Sequence, residues 1–189
     1  NFDPKTFLEA QRKRPQLDPA EYRFMKPRMT IIQESGMSAG RGGKVAHDGE
    51  QMDTGINGVS SNAGIMSNTQ LEIGRYFTDA EDEHKSAVVV IGMDIKERFF
   101  ANTDPLGKTL SVDGRPYTII GVTKPKGSLM GNSQDNFINI PVETYFKVYG
   151  YRQGIQYNFM APEKAKMEQA QDEVRMLMRS YRGQPPGEG

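Results

Sequence analysis

The feature that most constrains the fold of this chain is a succession of strand, helix and hairpin patterns between residues 87 and 122. The run Ala87–Ile91 is apolar throughout, which predicts a buried strand. An amphipathic helix is predicted next, with its apolar face formed by Ile95, Phe99 and Phe100. Two alternating segments joined by Asp113-Gly114 predict a β-hairpin, since both central residues of its favoured turn take positive φ. This succession indicates an α+β fold.

The N-terminal part of the chain carries two helix signals. Asp3-Pro4 and Asp18-Pro19 each predict a helix start, because aspartate caps a helix and proline fits its first position. The second helix is predicted to run from about Pro19 to Lys26, with Glu21 completing a capping box. The residues predicted on its buried side are Tyr22, Phe24 and Met25.

The C-terminal part is predicted to form one strand and one helix. The strand covers Ile155–Met160, and the helix opens at Pro162 and ends at Gly183. Its apolar stripe consists of Met167, Ala170, Val174, Leu177 and Tyr181. The 11 methionines of the chain are interpreted as core-filling residues, with Met167, Met176 and Met178 on or beside this stripe. The tail Gln184–Gly189 is interpreted as an exit linker.

Between residues 29 and 59 the sequence indicates short strands divided by glycine-rich turns. The predicted strands are Met29–Gln33, Lys44–His47 and Gly55–Val59. The stretch Gly36–Val45 invites comparison with a phosphate-binding loop, but its glycine spacing is wrong and Val45 stands where a hydroxyl is required. The dinucleotide-binding pattern fails because Val45 also occupies its third glycine position. A flexible hairpin tip is therefore predicted for this stretch.

Composition excludes several classes of function. The 24 Lys+Arg and 24 Asp+Glu residues give a net charge of 0, which argues against nucleic-acid binding through bulk electrostatics. The sequence has 0 cysteines, which excludes disulfides, thiol nucleophiles and cysteine-ligated zinc. No apolar run approaches the about 20 residues that a membrane-spanning helix requires.

Residues for catalysis or metal binding are not predicted anywhere in the sequence. The segment Val59–Asn62 is interpreted as a turn rather than a nucleophile site. The histidines are His47 and His84, and His84 follows acidic residues in a way that loosely resembles a set of metal ligands. A charged surface turn is the preferred interpretation, because metal sites need several preorganised ligands. We therefore predict no catalytic, cofactor-binding or metal-binding residue.

One loop is a candidate for contact with a partner. Residues Lys124–Asn136 are polar apart from Leu129-Met130, and they lead into a predicted strand at Phe137–Ile140 and a short helix after Pro141. Exposed apolar residues on a polar loop are typical of a contact site. The alternative is a loop folded back on its own core. The candidate contact residues are Leu129, Met130, Gly131 and Asn132.

Several short motifs follow one another in a characteristic order. They are Gly74–Asp79, Ala87–Gly92, Phe99-Phe100, Asp104–Lys108, Ile119–Val122 and Ile140-Pro141. This set resembles the periplasmic core domain of MacB-type ABC transporter permeases, within the wider FtsX-like family. Upstream, Gly58-Val59-Ser60 is similar to the Gly-Val-Ser turn of that family, and Met29–Ile32 is similar to its first core strand. The resemblance covers about residues 20–183.

The resemblance implies a mixed architecture of two subdomains. A porter-like α/β subdomain, close to the membrane, would be formed by residues 1–43 and 151–189. A second, β-rich α/β subdomain, residues 44–150, would be inserted between them. The helix and strand patterns at the two chain ends agree with this division. Because the chain begins at Asn1 rather than Met, we expect it to be a piece of a longer protein.

The resemblance further implies where such a domain works and with which partners. It would lie in the periplasm as part of a bacterial inner-membrane permease, with flanking membrane helices outside this fragment. The permease would act as a homodimer that couples ATP hydrolysis by a cytoplasmic ABC ATPase domain or subunit to export or mechanical transmission. A periplasmic adaptor protein is a further expected partner. No catalytic residue and no cofactor are implied for this domain.

Three other classes of function remain open at this stage. The nearest is an FtsX-type regulatory loop that controls a cell-wall hydrolase. A stand-alone periplasmic binding module for peptides or lipoproteins would share the α+β composition without needing membrane helices beside its ends. A hydrolytic enzyme is a remote third alternative, since it would require a cluster of groups with perturbed pKa values that the sequence does not reveal.

Overall fold

A computed structural model describes residues 7–10 and 17–183 of the chain. The strands are β1 (Phe7–Ala10), β2 (Glu34–His47), β3 (Glu50–Val59), β4 (Leu71–Gly74), β5 (Val88–Ile91), β6 (Thr109–Val112), β7 (Arg115–Thr123), β8 (Ser128–Leu129), β9 (Asn132–Ser133), β10 (Phe137–Pro141) and β11 (Gln156–Met160). The helices are α1 (Pro19–Met25), α2 (Ala63–Met66), α3 (Asp79–Glu83), α4 (Met93–Phe100), α5 (Val142–Tyr149) and α6 (Met167–Arg182), with 3-10 turns at Lys26–Arg28 and Lys164–Lys166. The mixture confirms the predicted α+β class.

The chain divides into two compact units. The terminal unit combines the chain up to residue 37 with the chain from residue 151 onward. The central unit consists of residues 38–150. The predicted assignment of residues 1–43 and 151–189 to a porter-like subdomain, with residues 44–150 inserted, stays a prediction.

In the terminal unit, helices α1 and α6 pack against each other beside strands β1, β11 and the start of β2. The ring centroids of Phe24 and Tyr181 lie 5.4 Å apart at this helix contact. The predicted helix after Asp18 is confirmed, and Tyr22 and Met25 are buried in it. The predicted apolar stripe of the last helix is also confirmed, with buried residues Ala170, Val174, Leu177 and Met178. Met176, which was predicted on or beside that stripe, is 60% exposed instead.

Three predictions for the chain ends are wrong. A helix from Asp3-Pro4 would have to contain Phe7–Ala10, but these residues form β1 and pair antiparallel with β11, while residues 1–6 lie outside the described range. Residues Met29–Gln33 do not form a strand, which begins only at Glu34. The last helix begins at Met167, after a 3-10 turn, rather than at Pro162. The predicted linker 184–189 also lies outside the described residues.

The central unit is built on a sheet with the strand order β2-β3-β10-β5-β7-β4. Strand β10 runs parallel to β3, and β5 runs parallel to β7, so the sheet is mixed. Helix α5 packs on β3, where Gly58 is required because a Cβ there would lie 2.4 Å from the Cβ of Tyr145. The largest fully buried side chains of this unit are Ile56, Ile91, Ile95, Phe100, Leu110, Ile119, Ile138 and Ile140.

The patterns in the middle of the sequence are confirmed here. The apolar run forms β5, the amphipathic pattern forms α4, and the hairpin turns at Asp113-Gly114 with φ values of 48° and 82°. The predicted strand at Phe137–Ile140 and the helix after Pro141 correspond to β10 and α5.

Two interpretations of polar segments in the central unit are corrected by the structure. The glycine-rich stretch predicted as a hairpin tip lies within β2, which pairs with β3 from Ser38↔Val59 to His47↔Glu50. The strand needs glycine at position 43, because a Cβ there would lie 2.3 Å from the Ile56 side chain. The predicted acidic turn is helix α3, which begins with a capping box between Thr78 and Glu81.

Candidate partner-contact site

The four predicted contact residues form the tip of a small hairpin, made by β8 and β9. Ser128 pairs with Ser133, and Leu129 pairs with Asn132. Met130 and Gly131 form the turn between them, with φ values of 52° and 82°. We call residues 128–133 the contact hairpin; the sequence predicted only a loop here.

The apolar side chains of the contact hairpin point into solvent. Leu129 is 61% exposed and Met130 is 95% exposed. Gly131 and Asn132 are exposed as well. The structure therefore brings all four predicted residues together at one exposed tip, rather than folding the loop back on the core.

The base of the contact hairpin is fixed by a buried carboxylate, Asp135. Its Oδ1 accepts a hydrogen bond of 2.8 Å from the backbone N–H of Lys126, and its Oδ2 accepts one of 3.0 Å from that of Gly127. The backbone N–H of Asp135 donates to Ser133 Oγ at 3.1 Å. Asp135 is only 4% exposed, so these bonds satisfy a charge that would otherwise be costly to bury.

The same residue connects the hairpin to the central sheet. The backbone N–H of Asp94, in the first turn of α4, donates to the carbonyl oxygen of Asp135 at 3.2 Å. Gly92 must lack a side chain, because a Cβ there would lie 2.3 Å from that carbonyl oxygen. Sequence reasoning missed Asp135; the available signal was an aspartate, which readily bonds nearby backbone N–H groups, two residues before a predicted strand.

The turn residue Met130 has an unfavourable backbone conformation for its type. The other hairpin turns of the central unit place aspartate at the equivalent position, Asp48 with φ of 49° and Asp113 with φ of 48°. Aspartate and asparagine tolerate this left-handed region better than a long apolar side chain does. Strained residues of this kind are often found at functional sites. Met130 therefore combines a conformational cost with nearly complete exposure.

Two lysines flank the uncharged hairpin. Lys124 Nζ donates to Gln70 Oε1 at 3.2 Å, and Lys126 Nζ lies 5.7 Å from the ring centroid of Phe137. The contact hairpin is thus an apolar tip with positive charge at its base. Such a surface complements an apolar site with an acidic rim.

A second cluster ties the two helices of the terminal unit together around Glu21, which is 1% exposed. Arg182 Nε lies 2.8 Å from Glu21 Oε2, and Arg182 Nη2 lies 3.1 Å from Oε1, so the pair is bidentate. The Tyr157 hydroxyl also lies 3.0 Å from Glu21 Oε1. Burial raises the pKa of the Tyr157 phenol, and the carboxylate of Glu21 adds to the increase.

This cluster corrects the predicted capping box of α1. Asp18 caps the helix as predicted, since its Oδ1 accepts from the backbone N–H of Ala20 at 2.7 Å. Glu21 does not complete the box, because its carboxylate binds Arg182 and Tyr157. The N–H of Asp18 that a capping box would satisfy donates to the Tyr157 hydroxyl at 2.9 Å.

A carboxylate of helix α6 binds backbone N–H groups inside the segment Met29–Gln33, which the sequence predicted as a strand. Glu173 Oε1 accepts from the backbone N–H of Thr30 at 2.6 Å and from its hydroxyl at 2.8 Å. Glu173 Oε2 accepts from the N–H of Ile31 at 2.9 Å. These backbone groups are therefore used by the helix rather than by a strand ladder.

The histidines occupy structural positions. His47 Nδ1 lies 3.0 Å from the carbonyl oxygen of Thr109, and its ring centroid lies 4.5 Å from that of Phe100. His84 ends helix α3 and is exposed. Within the described residues, no group of three or more His, Asp or Glu side chains is placed to hold a metal ion. Nor, in the same part of the chain, is any helix long and apolar enough to cross a membrane.

Comparison with known proteins links this geometry to a family. The family model described as the MacB-like periplasmic core domain matches residues 4–177. The macrolide export ATP-binding/permease protein MacB of Neisseria gonorrhoeae is 35% identical over 92 residues, which cover 49% of this chain and 14% of that protein. The pyoverdine export ATP-binding/permease protein PvdT of Pseudomonas aeruginosa is 31% identical over 114 residues, which cover 59% of this chain and 17% of that protein. The chain thus spans less than a fifth of either relative.

Two solved structures share the fold. The extracellular domain of the ABC-type transporter YknZ from Gram-positive bacteria has a TM-score of 0.73 and 19% identity, covering 88% of this chain and 84% of that domain. The periplasmic region of MacB from Actinobacillus actinomycetemcomitans has a TM-score of 0.70 and 20% identity, covering 86% of this chain and 74% of that region. At these identities the likeness concerns the fold.

Proposed function

The chain belongs to the family of MacB-like periplasmic core domains, and on that basis we propose that it is the periplasmic domain of an ABC exporter permease. The resemblance found in the sequence is thereby confirmed at the level of the family. The relatives named as macrolide and pyoverdine export ATP-binding/permease proteins support an export role. In this proposal the domain has no catalytic role, and ATP hydrolysis takes place in another domain or subunit.

We propose that this domain works in the periplasm of a bacterial inner-membrane permease, which forms a homodimer. The membrane helices on either side of the domain would move when ATP is bound and hydrolysed. Helix α6 is the element best suited to transmit that movement, because Arg182 in its last turn forms a bidentate ion pair with the buried Glu21 of α1. A displacement of α6 would therefore carry α1 with it as one rigid body.

Substitution of Arg182 in the full-length transporter tests this coupling. Arg182→Met should reduce transport several-fold while ATP hydrolysis continues, because the bidentate ion pair between the end of α6 and α1 is lost. Arg175→Met is the matched control, since the Arg175 guanidinium is exposed and, among the described residues, bonds only Asp172 of the same helix. Normal transport by a folded Arg182→Met protein would contradict the coupling.

A proline in the middle of α6 tests the same idea more severely. Val174→Pro should abolish transport, because proline removes a helix hydrogen bond and clashes with the preceding turn. Val174→Ala is the control, since it removes packing without breaking the helix. Membrane insertion and ATP hydrolysis should persist for both variants. Unchanged transport in the proline variant would exclude α6 as the transmitting element.

The observation that carries the partner proposal is the exposed apolar tip of the contact hairpin. Leu129 and Met130 are held in solvent on a base that Asp135 fixes, and lysines flank that base. We propose that this tip contacts a periplasmic adaptor protein through an apolar site with acidic groups at its edge. Contact residues on a rigid base lose little conformational freedom on binding, which favours affinity.

Polar substitution of the tip tests adaptor contact. The double variant Leu129→Ser, Met130→Ser should lose transport while keeping its fold and ATP hydrolysis. Gln51→Ser is the matched control, because Gln51 is exposed beside the Asp48-Gly49 turn of the same unit. Full transport by the double variant would rule out the proposed contact. If the tip instead binds a cell-wall hydrolase, the FtsX-type alternative, the variant would alter cell-wall cleavage rather than export.

A further inference from the structure

The methionines of the chain differ sharply in their exposure to solvent. All of them lie between residues 25 and 178, within the described range. Met25, Met37, Met160 and Met178 are at most 4% exposed. Met176 on α6 is 60% exposed, and Met130 at the tip of the contact hairpin is 95% exposed. Met130 is therefore the thioether most open to reagents dissolved in the surrounding water.

We propose that Met130 is a site of reversible oxidation, and that its sulfoxide prevents the contact hairpin from binding its partner. The oxidant is a hydroperoxide such as hydrogen peroxide. With hydrogen peroxide, a lone pair of the Met130 sulfur attacks one peroxide oxygen and the O–O bond breaks. The other oxygen leaves as hydroxide and takes up the proton of the transferred OH group, which gives water. Sulfur is oxidised to the sulfoxide, the peroxide is reduced, and sulfoxide reductases can reverse the change.

The position of Met130 makes this small change consequential. The tip offers a partner the two apolar side chains of Leu129 and Met130, and no charged residue occurs between Gly127 and Gln134. A sulfoxide oxygen introduces a strong hydrogen-bond acceptor at the tip, where the proposed contact is made. If that acceptor is buried against an apolar surface without a donor, its lost hydration opposes binding.

The folded hairpin should tolerate the oxidation itself. The side chain of Met130 is almost fully in solvent, so its sulfoxide displaces no packed neighbour. The bonds that hold the hairpin are made by Asp135 and by backbone groups, and none of them involves the Met130 thioether. Oxidation of Met130 should thus change the contact surface while leaving the fold intact.

Mass spectrometry after graded peroxide treatment of the folded chain tests the site independently of any partner. The peptide containing Met130 should gain one oxygen first, the peptide containing Met176 second, and those containing buried methionines only on unfolding. Met130→Leu should remove the first event and leave the others unchanged. Oxidation of Met176 or of a buried methionine ahead of Met130 would overturn the assignment of the site.

The effect on binding rests on the function proposed above and is measured separately. In cells producing the parent transporter, photocrosslinking from position 129 to the proposed periplasmic adaptor should fall on the order of tenfold after peroxide treatment, because an unpartnered buried acceptor is costly. Methionine sulfoxide reductases should restore it. The Met130→Leu variant should keep its crosslinking yield after peroxide treatment. The Met130→Gln variant should give a low yield even before treatment.

The two measurements fail in distinguishable ways. If Met130 is oxidised first but crosslinking in the wild type persists after peroxide treatment, control of binding by oxidation is excluded and the modification site stands. If no crosslink forms from the hairpin even without peroxide, the proposed adaptor contact is wrong. If Met130→Leu loses crosslinking on peroxide treatment as the wild type does, the sensitivity lies outside Met130 and the proposed control through this residue is overturned.

Discussion

Two hairpin turns of the central unit have the same backbone geometry and opposite chemistry. The turn between β6 and β7 places Asp113-Gly114 at φ values of 48° and 82°, and the contact hairpin places Met130-Gly131 at 52° and 82°. Asp113 uses its carboxylate within the protein: it accepts from the Lys44 N–H at 2.9 Å and from the Tyr149 hydroxyl at 2.7 Å. Met130 is 95% exposed, and within the described residues its side chain makes no such bond.

The difference shows how each turn is held. The Asp113 turn is held at its tip. Asp113 favours the turn conformation, and its carboxylate also accepts hydrogen bonds from Lys44 in β2 and Tyr149 in α5. The contact hairpin is held at its base, where Asp135 binds the backbone N–H groups of Lys126 and Gly127. With the bonds placed at the base, the side chains of Leu129 and Met130 at the tip stay exposed to solvent.

The largest expected effect is removal of the base of the contact hairpin. Asp135→Ala should lower the free energy of unfolding by about 3 kcal/mol, because it removes the buried carboxylate that accepts hydrogen bonds from the backbone N–H groups of Lys126 and Gly127. Asp135→Asn should cost less, since its amide oxygen can still accept one of the bonds. Urea denaturation measures the stability, and amide hydrogen exchange at Lys126 and Gly127 should quicken. Unchanged exchange at these amides would show that the base is held by something else.

Removal of the tip carboxylate from the other turn should have a smaller effect. Asp113→Ala should lower the free energy of unfolding by about 2 kcal/mol, because it loses the bonds to Lys44 and Tyr149 and places alanine at positive φ. Asp113→Asn keeps the turn preference and should recover part of the loss. Transport corrected for protein amount should stay normal. If Asp113→Ala lost transport without losing stability, this turn would also contact a partner. The claim that only the contact hairpin does so would then be wrong.

The corresponding change in the contact hairpin should act in the opposite direction. Met130→Asn should raise the free energy of unfolding by up to about 1 kcal/mol, because asparagine tolerates the left-handed conformation better. It should also lose adaptor binding. Met130→Leu keeps the conformational cost and the apolar surface, so it should keep both the stability and the binding of the native chain. A loss of stability in Met130→Asn would mean that the methionine side chain supports the hairpin after all.

The smallest expected effect concerns an ion pair that belongs to neither turn and serves as a background control. The hydrogen bond from Arg75 lowers the pKa of Glu81 from 4.5 to about 2. A carboxylate with a depressed pKa in the folded state stabilises it fully above pH 4.5, and this contribution is lost as the pH falls toward 2. The contribution should be small, since the Arg75 side chain is 54% exposed. Glu81→Gln should make unfolding less dependent on acid pH and should leave the adaptor contact intact. If Glu81→Gln also lost the contact, the contact would depend on the stability of the domain rather than on the tip of the contact hairpin.

Local sequence patterns predicted the central unit well. The apolar run of β5, the amphipathic α4 and the Asp113-Gly114 turn are set by neighbouring residues, so a single sequence reveals them. The predictions failed where a distant partner decides the structure. Residues 7–10 form a strand through pairing with β11, and the amides of Thr30 and Ile31 bind Glu173.

The candidate site was predictable in part for the same reason. An apolar pair in a polar loop is visible in the sequence and led to Leu129 and Met130. The role of Asp135 depends on the backbone of Lys126 and Gly127 folding back towards it, and on Gly92 lying against its carbonyl oxygen. No spacing rule connects those positions, so the rigidity of the base emerged only from the structure.

Photocrosslinking in intact cells tests the proposed adaptor contact most directly. A photoreactive residue at position 130 of the parent transporter should crosslink to the periplasmic adaptor, with positions 129 and 132 giving the same product. Arg115, exposed beside the Asp113-Gly114 turn, is the matched position and should give none. Crosslinks from the contact hairpin and not from position 115 are the predicted result. Absence of a crosslink from every position of the contact hairpin, or an equal yield from position 115, would contradict it.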